Sequence, residues 1–269
     1  PSTIVGIPPQ EDAWIGKATE RIFLAPIKMT MVQEILDMDL PIEGVFHNMA
    51  IVKIHKTYAG QAQKVMNALW GAGQMMFTKM MLVVDQHANM KDYAELARYV
   101  SQHFDPDNDL VVSQGPTDVL DHSCSSMAFG GKIGIDGTTK WPQELRGAKQ
   151  LPVNTTTNQP TLEALQADHP ELTALNTELL DKGISLVIAT LKKSQKGQVK
   201  KLTKQLFARP DFANVKVLIW LDAETPIDHI GDAVWRFSNN TDVKRDMTRI
   251  EADTDEELGH VAFDGTRKT

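Results

Sequence analysis

The stretch YAGQAQKVMNALWGAGQMMFTKMMLVVD, residues 58–85, contains two hydrophobic periods in succession. Over residues 60–76 the apolar side chains recur at steps of three and four, which predicts one face of an amphipathic helix. Residues 80–84 are an unbroken apolar run that ends at Asp85, as is typical of a strand buried on both faces of a parallel sheet. A helix that leads into such a strand predicts an α/β fold.

The same reading along the chain predicts β-α-β units with a mainly parallel sheet flanked by helices. Residues 11–36 have helical spacing with a break or kink at Pro26. Residues 123–137, rich in Ser and Gly, are expected to form a surface loop with a short extended segment. The remaining predicted helices are 90–104, 162–182, 197–208 and 226–237, and the predicted strands are 3–7, 49–54, 110–113, 184–191, 215–221 and 247–251.

The second half of the chain repeats the first with a shift of 137 residues. The identical pairs are Lys56 and Lys193, Gly60 and Gly197, Gln61 and Gln198, Lys64 and Lys201, Leu69 and Leu206, Lys79 and Lys216, Asp85 and Asp222, Ser101 and Ser238, Asp105 and Asp242, and Asp109 and Asp246. A single register of this kind indicates a duplicated α/β unit. Residues 47–110 and 184–247 should then have the same element order, with the second helix ending earlier because Pro210 cannot continue it.

The domain organisation follows from that repeat. Residues 150–160 are polar, poor in apolar anchors and bounded by prolines, which is typical of a linker. We therefore expect one α/β domain over residues 1–149 and a second, repeat-like unit over residues 161–269.

Composition restricts the class of protein. The net charge of −7 argues against nucleic acid or an anionic membrane as a partner, and no apolar run has membrane-spanning length. The single cysteine, Cys124, fits a reducing cytoplasm. Because strand-like residues follow Pro1 at once, without an initiator Met, we expect the sequence to be a piece of a longer protein.

Several residues that could bind a ligand also have a purely structural interpretation. Asp85 and Asp222 end predicted strands, where open α/β sheets bind ligands, but a carboxylate there also closes a turn or caps a helix, and that second interpretation is favoured. Neither Gly71-Ala72-Gly73 nor Gly130-Gly131-Lys132 has the spacing of a nucleotide-binding loop.

The cluster Asp121-His122-Ser123-Cys124-Ser125 contains a nucleophile beside a base. Catalytic triads are assembled from distant segments, so an ordinary polar loop is the favoured interpretation. The histidines show no metal-binding spacing and no zinc site is indicated.

Six strings in consistent order carry a resemblance to a known family. They are Thr3–Asp12 (TIVGIPPQED), Leu40–Gly44 (LPIEG), Tyr58–Ala62 (YAGQA), Phe77–Lys79 (FTK), Asp121 and Lys140–Pro142 (KWP). Over residues 1–142 the chain closely resembles the UbiD-like decarboxylases, whose name-giver is the polyprenyl-hydroxybenzoate carboxy-lyase of ubiquinone synthesis. The resemblance does not cover residues 143–269.

The resemblance implies a carboxy-lyase that uses prenylated FMN, with a divalent metal (Mn or Mg) and K⁺, on small aromatic or unsaturated acids. It places the catalytic Glu and Arg set and the metal ligands in an upstream cofactor domain, so this chain alone is expected to be inactive and to bind no cofactor. It places Thr3, Ile7 and Thr78 on the substrate side of the pocket. Gln74 occupies the position of a phosphate-binding lysine of some members, which is a departure from their pattern.

The alternative function is an oligomerisation scaffold with no role in the pocket, because the C-terminal domain of such enzymes also holds subunits together. A homo-oligomer is expected in either case, since the apolar stripe of residues 14–36 needs cover. An independent nucleotide-binding module is disfavoured by the lack of a correctly placed glycine loop.

Overall fold

The computed structural model describes residues 10–145, 159–254 and 257–268. The strand expected at 3–7, with Thr3 and Ile7, lies outside these ranges, as does most of the expected linker. In the part that is described, no helix is long and apolar enough to cross a membrane.

The first half is a five-stranded sheet with helices. Its elements are α1 (Gln10–Thr30), β1 (Ile35–Asp39), β2 (Met49–Ile54), α2 (Gln61–Trp70), β3 (Met80–Asp85), α3 (Tyr93–His103), β4 (Leu110–Pro116) and β5 (Phe129–Asp136). The strand order is β1-β2-β3-β5-β4, in which the three central strands are parallel and both edge strands are antiparallel. The helix α2 buries its apolar face against this sheet, as the period of three and four predicts.

The second half has the same topology. Its elements are α4 (Leu162–Gln166), β6 (Leu172–Asn176), α5 (Glu178–Asp181), β7 (Leu186–Leu191), α6 (Gln198–Phe207), β8 (Val217–Asp222), α7 (Ile230–Asn240), α8 (Val243–Asp246), β9 (Met247–Ile250) and β10 (His260–Asp264). The strand order is β6-β7-β8-β10-β9. The strands β1, β2 and β3 and the helices α2 and α3 each have their counterpart 137 residues later, so the predicted repeat is confirmed.

Two predicted helices were wrong in extent because a strand begins inside the predicted range. The helix predicted over 11–36 ends at Thr30, with Pro26 inside it, and residues 35 and 36 begin β1. The segment 162–182 contains β6 between two short helices. Both missed strands are short antiparallel edges, whose few apolar residues also fit a helical period.

The segment 123–137, predicted as a surface loop with a short extended segment, contains the eight-residue inner strand β5. Its glycines lower the strand propensity, but the packing requires them. A Cβ on Gly134 would lie 2.3 Å from Sδ of Met66, and a Cβ on Gly131 would lie 2.4 Å from the backbone N of Lys244. The glycines of β5 therefore allow neighbouring elements to pack closely against the strand.

The predicted difference between the two repeat helices was also wrong. The first ends at Trp70, well before residue 76, and the second ends at Phe207, so each has ten residues. Equivalent 3-10 turns follow, Gly73–Phe77 and Pro210–Phe212. Pro210 begins its turn, where proline is well tolerated, and therefore does not shorten the helix before it.

Replacement of Gly60 or Gly197, which precede helices, should lower the free energy of unfolding. They precede α2 and α6 in the left-handed region, at φ 77° and 80°, and no atom lies within 4 Å of a Cβ built on either. We expect Gly60→Ala and Gly197→Ala each to lower the free energy of unfolding by about 1 kcal/mol through backbone strain alone. Urea denaturation measures this, with Gly71→Ala, at φ −94°, as the control that should change far less. Equal losses in all three variants would contradict the strain argument.

Candidate functional site

The 3-10 turn Gly73–Phe77 and the two residues after it carry the predicted pocket positions of the described chain. Gln74 is exposed on the turn, and Thr78 is buried where the turn meets β3. The carbonyl of Thr78 accepts hydrogen bonds from Nε1 of Trp70, at 3.1 Å, and from Nζ of Lys132, at 2.9 Å. The backbone at Thr78 is therefore fixed from two sides.

Lys132 is a buried cation beneath this turn. Its side chain extends from β5, donates to the carbonyl of Met76 at 2.5 Å and lies 6.0 Å from the ring of Trp70. Burial lowers the pKa of Lys132 to about 8, although Cys124 and Asp121 act in the opposite direction. Within the described ranges no carboxylate forms an ion pair with Lys132, so carbonyl oxygens are its main support.

A second buried cation, Lys79, lies between this turn and β3. Its Nζ lies 3.1 Å from Asp121, 2.9 Å from Oγ of Ser123 and 2.7 Å from the carbonyl of Ser238. The lysine is 0% exposed, and the carboxylate is almost equally buried. We call Lys79, Asp121, Ser123 and the Ser238 carbonyl the junction cluster, because Ser238 belongs to the second half.

Residues 121–125 lie in a polar loop, as the favoured interpretation predicts, but the loop is anchored by the buried Asp121 of the junction cluster. Asp121 also accepts from the backbone N and Oγ of Ser123, at 3.0 and 2.6 Å. Burial alone would raise the pKa of Asp121, but the Lys79 ammonium and the Ser123 hydrogen bonds lower it. Burial and the Asp121 charge raise the pKa of Cys124, so its thiol is not an activated nucleophile.

His47 and Asn48 are buried near this cluster and are only partly satisfied. Burial lowers the pKa of His47, against the influence of the Asp118 and Asp121 carboxylates. The Nδ1 of His47 and the Oδ1 of Asn48 have no hydrogen-bond partner within the described part of the chain. The amide of Asn48 donates to Oδ1 of Asn239 in α7, at 3.1 Å, which ties this segment to the second half.

Asp85 and Asp222, which end β3 and β8, accept hydrogen bonds that hold the local fold, as the favoured structural interpretation predicts. Asp85 accepts from the backbone N of His87 and of Thr139, at 2.9 and 2.7 Å, and from the hydroxyl of Tyr99, at 2.7 Å. Burial would raise the pKa of Asp85, but these hydrogen bonds lower it. Asp222, at the equivalent strand end, accepts from the backbone N of Arg267. The helices that follow begin eight residues later, at Tyr93 and Ile230, so neither aspartate caps them.

The structure thus separates the predicted site residues. Thr78 and Gln74 share one turn, whereas Thr3 and Ile7 lie outside the described residues. Sequence reasoning missed Lys79, Lys132 and His47 as buried polar groups. Only Lys79 had a signal, since it recurs as Lys216 and closes the string Phe77-Thr78-Lys79. In the described ranges no group of three or more His, Cys, Asp or Glu side chains could hold a metal ion.

Comparison with known proteins identifies one family model. The model described as the 3-octaprenyl-4-hydroxybenzoate carboxy-lyase C-terminal domain matches residues 13–137 and 153–265. An uncharacterized protein of Helicobacter pylori (strain J99) is 34% identical over 249 residues, which are 91% of this chain and 38% of that protein. One of Archaeoglobus fulgidus is 54% identical over 144 residues, which are 53% of this chain and 30% of that protein. The chain spans well under half the length of these relatives.

Solved structures give weaker likenesses. The UbiD-class enzyme HmfF from Pelotomaculum thermopropionicum, in complex with FMN, has a TM-score of 0.44 and 22% identity, covering 59% of this chain and 34% of that one. The vanillic acid decarboxylase of Sedimentibacter hydroxybenzoicus has a TM-score of 0.41 and 21% identity, covering 54% and 30%. At these scores the likeness adds nothing to the family match.

Removal of Lys79 should leave a buried carboxylate without its partner. We expect Lys79→Met to lower the free energy of unfolding by about 3–5 kcal/mol, and the double variant Lys79→Met/Asp121→Leu to recover most of that loss. Lys64→Met is the control, because its ion pair with Glu34 is partly exposed and is worth about 0–1 kcal/mol. Denaturant titration of the four proteins tests this. If the double variant is as unstable as Lys79→Met, the unpaired charge of Asp121 is not the cause of the lost stability.

The buried Lys132 ammonium should make stability rise at alkaline pH. Its folded pKa of about 8 lies below the unfolded value of 10.5, so the unfolded state binds the proton more tightly between these values. Relative to Lys132→Met, the wild type should gain about 1.4 kcal/mol of unfolding free energy per pH unit from about pH 8 to 10.5. Below pH 8 the difference between the two proteins should stay constant. A flat difference across the whole range would contradict a shifted lysine.

Proposed function

Because the chain belongs to the family of the 3-octaprenyl-4-hydroxybenzoate carboxy-lyase C-terminal domain, we propose that it is the C-terminal part of a prenylated-FMN-dependent (de)carboxylase. In this proposal the complete protein acts in the cytoplasm on aromatic or unsaturated carboxylic acids. The described chain contributes a pocket wall and subunit contacts to it. The family match over both halves is the observation that carries the proposal.

The turn Gly73–Phe77 supplies the pocket wall in this proposal. Thr78 is held by Trp70 and Lys132 through its carbonyl, so the position of its side chain is set before any ligand arrives. Gln74 is exposed on the same turn and offers a neutral amide. Thr3 and Ile7 are proposed to line the same side of the pocket.

The fit of these residues to a flavin phosphate is limited to neutral hydrogen bonds. Gln74 brings no charge, and Lys132, whose ammonium contacts the same turn, is 3% exposed and donates to two carbonyls. The charge of the cofactor phosphate is therefore assigned to groups upstream, together with the Mn or Mg ion and K⁺. The prenylated flavin would supply the electron sink for decarboxylation, and Thr78 and Gln74 would orient what binds against it.

A scaffold function without a pocket role is the second candidate, and the outer face of α1 favours it. Exposed apolar or small residues recur there at alternating steps of three and four, the spacing of a helix-helix seam: Ile15, Ala18, Ile22, Ala25 and Met29. Met29 is 79% exposed and the neighbouring Trp14 is 72% exposed. A seam of this kind on a folded chain requires cover from the rest of the protein or from a second subunit.

Substitutions on the turn separate the two functions. In the complete protein with prenylated FMN and a panel of aromatic acids, Thr78→Val should raise KM and Gln74→Ala should weaken cofactor binding, each about tenfold for one lost hydrogen bond. Gln63→Ala, an exposed glutamine on α2, is the matched control. The isolated chain should show neither flavin absorbance nor CO₂ release.

Two outcomes would reject the pocket role. Unchanged kinetics and flavin binding in both turn variants would leave only the scaffold, and turnover by the isolated chain would place the active site elsewhere. The scaffold itself is tested by Ile22→Glu, which should reduce the assembly size measured by light scattering.

A further inference from the structure

The turn that carries Gln74 has a less restrained entry than its counterpart in the second half. Gly73 starts this turn at a φ of 47°, and no atom lies within 4 Å of a Cβ built there. The equivalent turn starts at Pro210, whose ring fixes the backbone. It is further held by Arg209, which donates to both carboxylate oxygens of Asp211 at 3.0 Å. The position of Gln74 therefore depends on contacts further along its turn.

Lys132, which lies beneath this turn, has a counterpart in His260. The residue after each of them pairs with the equivalent residue of its neighbouring strand, β3 in the first half and β8 in the second. Each also lies against the aromatic ring that ends the equivalent helix. The Lys132 ammonium is 6.0 Å from the ring of Trp70, and the His260 imidazole stacks on Phe207 at 4.5 Å. The two side chains therefore occupy the same place in the repeat.

The two side chains share one contact and differ in another. Lys132 donates to the carbonyl of Thr78 at 2.9 Å, and Nδ1 of His260 donates to the carbonyl of the equivalent Val215 at 2.7 Å. Lys132 also donates to the carbonyl of Met76 at 2.5 Å, and among the described residues His260 makes no such second contact. An ammonium has three donors, so it satisfies two carbonyls at the C-terminal end of the turn, where a helical turn leaves them unpaired.

We propose that Lys132 is a positioning residue for the pocket wall. Through the Met76 carbonyl it fixes the turn two residues after Gln74, and so sets where the Gln74 amide meets the bound cofactor. This inference rests on the proposed function, in which Gln74 faces the prenylated flavin. Lys132 is 3% exposed, so it acts through the backbone of the turn and not by direct contact with a ligand.

The comparison with His260 supplies the test variant. Lys132→His keeps a donor for the Thr78 carbonyl and removes the contact with Met76. In the complete protein we expect this variant to weaken prenylated FMN binding about tenfold, as for one lost hydrogen bond, while KM for the aromatic acid changes less than about twofold. His260→Gln, at the matched position of the second half, should change neither constant. An equal change in both constants on Lys132→His would indicate a purely structural role and overturn the inference.

The double variant Lys132→His/Gln74→Ala shows whether the effect passes through Gln74. Its cofactor affinity should equal that of Gln74→Ala alone, because the amide that Lys132 positions is already gone. Losses that multiply would overturn the inference. If Gln74→Ala leaves cofactor binding unchanged, the proposed role of the turn fails. If Gln74→Ala weakens binding and Lys132→His does not, the positioning inference alone fails.

Hydrogen exchange of the complete protein without cofactor tests the same contact independently of activity. Lys132→His should raise the exchange rates of the amides of residues 73–78 about tenfold and leave those of residues 210–215 unchanged. Lys132→Gln, whose shorter side chain also loses the Met76 carbonyl, allows the same measurements if the imidazole prevents folding. Equal exchange rates in the wild type and the variant would contradict the positioning role.

Discussion

The junction of the two halves depends on the buried ammonium of Lys79, which needs acceptors from both of them. A lysine ammonium that is fully removed from water loses its hydration, and at Lys79 a carboxylate and two further acceptors replace it. Asp121 and Ser123 come from the loop between β4 and β5, and the carbonyl of Ser238 comes from α7. The cluster can therefore be complete only when three separate segments, one of them from the second half, are in place together.

The equivalent lysine of the second half shows what that loop adds. Lys216 donates to the carbonyls of Ser101 and Phe104, and within the described residues no carboxylate forms an ion pair with it. Burial lowers the pKa of Lys216 to about 8, despite the charges of Asp105 and Asp109. At this position of the repeat, the lysine of the first half is paired with a carboxylate, whereas the lysine of the second half contacts only backbone carbonyls. This asymmetry distinguishes two halves whose backbones share one topology.

How far the sequence predicted this fold depends on where each element finds its partners. The strands β2 and β3 and the helix α2 follow from local periodicity, because each buries a long apolar face. The strand β5 could not be predicted from local periodicity. Its glycines are explained by close contacts with Met66 and Lys244, which come from distant parts of the chain. The repeat register was found because identical residues survive in both copies, among them Lys79 and Lys216.

The candidate site follows the same division. Thr78 and Gln74 were named through a resemblance, and their turn was misread as the end of a helix. The buried charges of the site, Lys79 and Lys132, were not anticipated. Their acceptors are a loop carboxylate and backbone carbonyls far away in sequence, and no spacing rule encodes such partners. Burial of charge is a property of the assembled fold, so it becomes readable only once the strands are placed.

The strained segment before β2 links the junction to the site. Val45 and Phe46 both have φ of 48°, a region that a β-branched or aromatic residue adopts only under constraint. The constraint comes from both sides. A Cβ on Gly16 of α1 would lie 2.8 Å from Cβ of Phe46, and Oγ of Ser238 in α7 donates to the carbonyl of Glu43 at 2.7 Å. Since α7 belongs to the second half, docking of that half helps to hold the turn that positions His47 beside the junction cluster. The second half thereby adds a contact from α7 to the support that the first half gives this turn through α1 and its own backbone hydrogen bonds.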